Sequence, residues 1–175
     1  MAPEISAPQS SRRSFLRGNV KSDVVPVRPP WTDEQLLVET CTRCNDCITA
    51  CPENVLVRGE GGYPAFDPKQ GYGMCTFCGD CAKACSQGTF DAARSPAWSL
   101  RAEIAPAACL AEAAIHCETC RDSCDASAID KIFRIGKPAR LQISVETCTG
   151  CGACISVCPA DAVHLVYDTD AECAA

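Results

Sequence analysis

The chain has 175 residues, 17 of them cysteine and only 6% aromatic, so a large close-packed apolar core is not available and staples of another kind are needed. No apolar run reaches the roughly 18 residues of a membrane-spanning helix. A net charge of −6 argues against nucleic acid as the main partner.

Charge is unevenly spread. Residues 1–30 carry five basic side chains (Arg12, Arg13, Arg17, Lys21, Arg28) against Glu4 and Asp23, whereas residues 31–175 carry 11 basic and 20 acidic ones. The basic segment runs out through VVPVRPP, Val24–Pro30, whose prolines forbid a helix and favour an extended linker. Residues 1–30 therefore read as a flexible basic arm. Within it, Ser11-Arg12-Arg13-Ser14-Phe15-Leu16-Arg17 resembles the twin-arginine export signal S-R-R-x-F-L-K. An export signal also needs an apolar stretch of about 7–15 residues, and here the arginines lead into the polar Gly18–Asp23 and then into prolines. Export is disfavoured on that ground. Two readings of the arm stay open: a solvated tail, or a docking segment that offers Phe15 and Leu16 to an acidic groove on a partner.

Past the arm, cysteines fall into four sets: Cys41, Cys44, Cys47, Cys51; Cys75, Cys78, Cys81, Cys85; Cys109, Cys117, Cys120, Cys124; and Cys148, Cys151, Cys154, Cys158. Sets one, two and four read C-x2-C-x2-C-x3-C. Set three stretches its first gap to seven residues. The step from the last cysteine of one set to the first of the next is 24 residues each time, and CPENVL, CSQGTF, CDASAI and CPADAV follow in register. This is a tandem internal repeat over residues 40 to about 168. The stretch NDCITAC predicts a short helix ending at Pro52. Val55–Val57, Tyr63–Phe66, Trp98–Ile104, Ile132–Ile135, Leu141–Val145 and Val163–Tyr167 read as strands. The glycine-rich turns Gly59–Gly62 and Gly136-Lys137-Pro138 make two hairpins of them.

Three chemistries compete for the cysteines. Disulfides would need an oxidising compartment. Zinc takes four ligands, usually from paired C-x2-C knuckles, and three thiolates at successive three-residue steps are more than one tetrahedral ion uses. The run C-x2-C-x2-C-x3-C is the bacterial [4Fe–4S] ferredoxin pattern: three thiolates of a set hold one cluster, and the fourth reaches the neighbouring cluster. Iron–sulfur ranks first, zinc second, disulfides last. Pairing in chain order gives Cys41, Cys44, Cys47 and Cys85 to site one, and Cys75, Cys78, Cys81 and Cys51 to site two. Cys109, Cys117, Cys120 and Cys158 go to site three, and Cys148, Cys151, Cys154 and Cys124 to site four. The equal spacing also permits sets two and three to pair. Cys109 is the position most in question, since its long gap could leave a vacant or three-iron site; a looped-out turn in AACLAEAAIHC would return it, and ligation is favoured. Gly79, Gly150 and Gly152 either let backbone amides approach sulfur or simply make turns. Four clusters, each about −2 with its thiolates, would take the chain to roughly −14, which favours low potentials. Because metal binding here is folding free energy, the apo chain is expected to be largely unfolded.

The expected fold is α+β: two tandem bacterial ferredoxin-like halves, 31–95 and 96–175, each with two [4Fe–4S] sites, behind the arm 1–30. An arm beginning S-R-R-S-F-L-R-G, followed by four such knots with a stretched third, resembles the NapF family, ferredoxin-type accessory proteins of periplasmic nitrate reductase. The resemblance spans nearly the whole chain. It implies a cytoplasmic protein with up to four [4Fe–4S] clusters that contacts the nitrate reductase catalytic subunit before export and assists its maturation by supplying electrons or cofactor, with an electron donor as a further partner. Ser86 and Asp125 depart from the proline of knots one and four (Pro52, Pro159), which affects a turn and no ligand. Two rival functions are carried: an electron-transfer polyferredoxin subunit of a larger oxidoreductase, and a cluster carrier or iron store. His116 is expected to be exposed or supporting, His164 a strand-face residue, and Trp31 and Trp98 packing lids. Cys173 is a free tail thiol, one residue short of a C-a-a-X lipidation box. No catalytic constellation or phosphate loop is present, so the chain itself is not expected to turn over substrate.

Overall fold

The computed structural model describes residues 26–167. The first regular element, α1 (Glu34–Thr40), starts where the Asp33 carboxylate accepts the amides of Gln35 and Leu36 at 2.9 and 3.1 Å, a capped N-terminus, and it buries Leu37 completely. Four very short helices follow, one per knot: α2 (Asp46–Thr49), α3 (Asp80–Ala84), α4 (Thr119–Asp122) and α5 (Ala153–Ser156). The helix in NDCITAC thus stops three residues before Pro52.

Six strands form three antiparallel two-stranded sheets: β1 (Leu56–Arg58) with β2 (Pro64–Phe66), β3 (Leu100–Ile104) with β6 (Val163–Tyr167), and β4 (Ile129–Arg134) with β5 (Lys137–Ile143). Both predicted hairpins are present. The second is longer and set earlier than the apolar run suggested, because the chain reverses at Ile135 and Gly136; Ile135 is a fully exposed turn residue rather than a strand residue. Pro138 fits inside β5 because that strand is paired on one side only.

The fold repeats itself. The β4–β5 hairpin of the second half answers β1–β2 of the first. The β3–β6 pair, five residues long, answers the single bridge between Thr32 and Phe90. Each half packs its own small core. The first gathers Val55, Leu56, Phe66, Trp98 and Leu100 around Cys47 and Cys81; the second gathers Ile129, Leu141, Ile155 and Val163 around Cys109, Cys120 and Cys154. Leu165 on β6 packs against both. Trp98 and Leu100, placed in the second half by the sequence reading, fill the first half's core because the chain enters β3 across that face.

The arm's boundary is corrected at its end. Residues 26–30 are packed rather than free: Pro29 and Pro30 are fully buried, the Phe66 amide donates to the Val27 carbonyl at 2.7 Å, and Arg28 pairs with Glu34 at 2.6 Å and donates to the Pro64 carbonyl. Proline rigidity, read as the mark of a linker, instead presents a pre-extended apolar strip that docks at little entropic cost. Residues 1–25, which hold the twin-arginine-like sequence, and residues 168–175, with Cys173, lie outside the described residues. No helix among the described residues is long and apolar enough to cross a membrane.

Candidate metal centres

Three of the knots share one backbone device, and all four share a second. In C-x2-C-x2-C the residue after the second cysteine is left-handed in three knots: Asn45 (φ 70°), Gly79 (φ 77°) and Gly152 (φ 92°). That turn places the third cysteine in the first turn of a short helix, where Cys47, Cys81, Cys120 and Cys154 are all buried. Three residues after the fourth cysteine, all four knots turn left-handed again, at Asn54, Gly88, Ser127 and Asp161. Asn, Gly and Asp are residue types that tolerate this region. The turn aims an amide back at sulfur: Ala128 donates to Cys124 Sγ and Ala162 to Cys158 Sγ, both at 3.3 Å. Near the first cysteine the amides of Arg43 and Phe77 donate to Cys41 and Cys75 Sγ at 3.4 Å, and Ala102 of β3 donates to Cys148 Sγ at 3.4 Å. Successive amides turned toward one point make a concavity suited to anionic sulfur.

The fourth cysteine crosses over. Cys85 lines one cavity with Cys41, Cys44 and Cys47; Cys51 lines another with Cys75, Cys78 and Cys81; Cys124 lines a third with Cys148, Cys151 and Cys154. The charges felt by the buried thiols trace the same sets. Burial pushes the Cys47 thiol up to about 11, with Cys41, Cys44 and Cys85 adding to it. Cys120 is likewise pushed to about 11, by burial first and then by Cys109, Cys117 and Cys158 against an opposing bond from the Arg121 amide. Burial raises Cys154 to about 12, with Cys151, Cys148, Cys120 and Cys124 behind it. Sets one and two thus place their fourth cysteines in each other's cavities, Cys124 of set three stands with set four, and Cys158 of set four is sensed by Cys120 of set three.

Cys109 returns despite its long gap. A run of tight turns over residues 106–114, with the Cys109 amide on the Ala105 carbonyl and Ala114 left-handed at φ 65°, folds the insertion outward and leaves Cys109 buried beside Cys120. Knot three lacks the left-handed residue after its second cysteine: Glu118 has φ −134° and is held by Lys131, Arg121 and His116 instead.

The donor set fits iron–sulfur cubes. All sixteen described cysteines are free thiols rather than disulfides. Four thiols spaced around a cavity suit a cluster that puts one iron at each corner.

Two features escaped the sequence. Thr89, buried to 1% exposure, sits against Thr40 (Oγ1···Oγ1 2.9 Å) and beside Cys85; burial works against ionisation there, but the Thr89 hydroxyl and the amides of Thr89, Gln87 and Gly88 hold that thiol below its ordinary value. The left-handed Gly88 in CSQGTF was the available sign of such an amide nest. An aromatic stack, Trp31–Phe77–Trp98–Phe66 with centroid steps of 6.4, 5.4 and 5.1 Å, covers site two, Trp31 and Phe77 lining its cavity. The lid expectation for the tryptophans matches this placement. His116 is exposed and His164 lies on β6 opposite Glu103, as expected.

A fold of two repeated halves, each with two crossed cysteine sets, defines an iron–sulfur protein of the tandem dicluster type, and two models of the 4Fe-4S dicluster domain match residues 40–90 and 114–162. Two diclusters give the chain four [4Fe–4S] clusters. The chain is 41% identical over 165 residues to the ferredoxin-type protein NapF of Haemophilus influenzae, covering 88% of this chain and 92% of that one. It is 40% identical over 161 residues to NapF of Escherichia coli K12, covering 90% and 95%. Similarity extends at 28% over 190 residues to the ferredoxin-type protein NapG of Escherichia coli K12, covering 86% of this chain and 82% of that one. The chain belongs to the NapF family of ferredoxin-type proteins.

Proposed function

We propose that the protein is a cytoplasmic accessory protein of periplasmic nitrate reductase that binds the catalytic subunit and assists its maturation before export, through electron or cofactor supply. In this reading Cys41, Cys44, Cys47 and Cys85 hold cluster one; Cys75, Cys78, Cys81 and Cys51 cluster two; Cys109, Cys117, Cys120 and Cys158 cluster three; and Cys148, Cys151, Cys154 and Cys124 cluster four. The observation that carries it is the crossed fourth cysteine, which puts three of the thiol quartets each around one cavity, while Cys120 of the remaining quartet senses Cys109, Cys117 and Cys158. Bound clusters supply one-electron chemistry. The protein's own residues exclude water with the aromatic lid, aim amides at sulfur and fix the spacing of the sites. Family membership and the twin-arginine-like arm support the nitrate reductase connection.

The test is anaerobic co-purification of the catalytic subunit with this protein from cytoplasm, compared with cells whose subunit is already exported. Capture of the unexported form and release before export is the expected result. A complex that persists through turnover, with every cluster reversibly reduced, would instead favour the polyferredoxin-subunit reading. Truncation at residue 25 should leave iron content unchanged and weaken capture; unchanged capture removes the arm from the interface.

A further inference from the structure

The two halves touch in an uneven way. The Cys75 amide donates to the Cys151 carbonyl at 2.8 Å, so the loop of knot two is bonded directly to the loop of knot four. Around that bond the fit is close. A Cβ at Gly73 would lie 2.4 Å from Ser156 on α5, and one at Gly152 would lie 2.6 Å from Pro68 and 3.0 Å from Phe66. Trp98 Nε1 donates to the Thr149 carbonyl at 2.8 Å, and Lys69 pairs with Asp161 at 2.7 Å. All of these partners in the second half belong to knot four or its exit. Among the described residues, no hydrogen bond or ion pair joins residues 105–127, which contain knot three, to residues 26–95. Within the halves, α2 lies against α3 and α4 against α5.

We infer that the four cluster sites form one continuous file in the order one, two, four, three, with the knot-two–knot-four contact as the junction between halves. The inference rests on the ligand sets given under Proposed function and goes beyond them, because the same sets could stand in two unconnected pairs or follow chain order. Electron tunnelling falls steeply with separation, so this order makes sites one and three the ends and sites two and four the interior. A donor and an acceptor protein would then exchange electrons with the chain near Cys44, which is exposed, and near Cys117, which is half-buried. The C-terminal knot of the repeat is not an end: knot four, last in sequence, is third in the file.

Magnetic coupling in the dithionite-reduced holoprotein tests the order without reference to activity. Cys151→Ala should remove site four and leave site three as one isolated, uncoupled electron paramagnetic resonance signal beside a coupled pair. Cys117→Ala should remove site three and leave all remaining sites coupled, with no isolated signal. The reverse pattern, an isolated signal in C117A and none in C151A, establishes chain order and overturns the file. Isolated signals in neither variant, or in both, overturn it as well. Undiminished iron in both variants would overturn the ligand sets themselves, and the order with them. Should either variant lose both clusters of its half, Gly73→Val keeps the inference falsifiable: the wedge against Ser156 should leave iron content intact and abolish coupling between halves, whereas full coupling in G73V refutes the junction.

Discussion

The first half closes its sheet with three residue pairs in β1–β2 and one bridge, Thr32 to Phe90; the second has a hairpin roughly twice as long and a five-pair β3–β6 ladder. The reason is local. Pro29 and Pro30 lie just before Thr32 and have no amide to donate, so no ladder can grow on the N-terminal side of that bridge. At the matching position the second half runs Leu100–Ile104, a strand free of proline whose Leu100 and Ala102 point inward. The first half offsets its missing ladder with rings, Phe66, Phe77, Trp98 and Trp31, whereas the second packs aliphatics and spends its longer sheet covering an irregular third knot. One repeat has thus been stabilised in two ways, by aromatic packing over a regular knot pair and by backbone pairing under an irregular one.

Removing iron is the harshest test of that contrast. Chelation under anaerobic conditions should unfold most of the chain, because the clusters carry the core. Hydrogen exchange should find what protection survives in β3–β6 and β4–β5 rather than in β1–β2; equal loss everywhere would refute the claim that sheet length distinguishes the halves. Cys109→Ala comes next. It should cost about one iron or one whole cluster from the second half, read by iron analysis, and leave the first half's resonance signals unchanged. A fall in those signals would mean that the halves do not load independently.

Trp98→Ala attacks the other side of the comparison. Cutting this buried ring, which touches Phe66 and Phe77 and donates to Thr149, should cost about 3–5 kcal/mol in anaerobic denaturant unfolding. A loss below about 1 kcal/mol would show the stack to be incidental. Thr89→Val keeps shape but removes a hydroxyl beside Cys85, and should cost about 1–2 kcal/mol. It should also shift the reduction potential of the nearby site downward, because a hydrogen-bond donor near sulfur is lost. A redox titration that matches wild type would sink the second part.

The smallest effect concerns the docked end of the arm. The Arg28 guanidinium bonds Glu34 and holds its carboxyl below the usual range, partial burial opposing this. A lowered carboxylate contributes stability above its unfolded pKa and loses it as pH falls through the folded value. Glu34→Gln should therefore cost under about 1 kcal/mol at pH 7, since the carboxylate is largely exposed, and the deficit should shrink as pH falls toward the carboxylate range. A deficit that grows on acidification would contradict the assignment.

Cysteine spacing made much of this legible in advance. Thiols three residues apart have few geometries open to them, so C-x2-C-x2-C-x3-C announces its cofactor, and the glycine turns between apolar runs announce both hairpins. Asn54, Gly88, Ser127 and Asp161 also stand in register as residues that accept a left-handed turn, a signal present in the flanking repeats. Other features had no local signature. Whether PVRPP, residues 26–30, is linker or buried strip depends on the face waiting for it, here Phe66 and Pro64, far along the chain. The return of Cys109 depends on turns that only packing against Cys120 selects.

The sequence by itself determined the chemistry and the repeat, because ligand type and short-range spacing act through bonds and a few dihedrals. Tertiary structure alone decided which knots' cysteines line a common cavity, that Trp98 and Leu100 serve the first core, and that knot four rather than knot three lies against knot two. Those outcomes depend on how surfaces separated by tens of residues fit, such as a Gly73 without a side chain meeting Ser156. No local pattern in the chain records a fit of that kind.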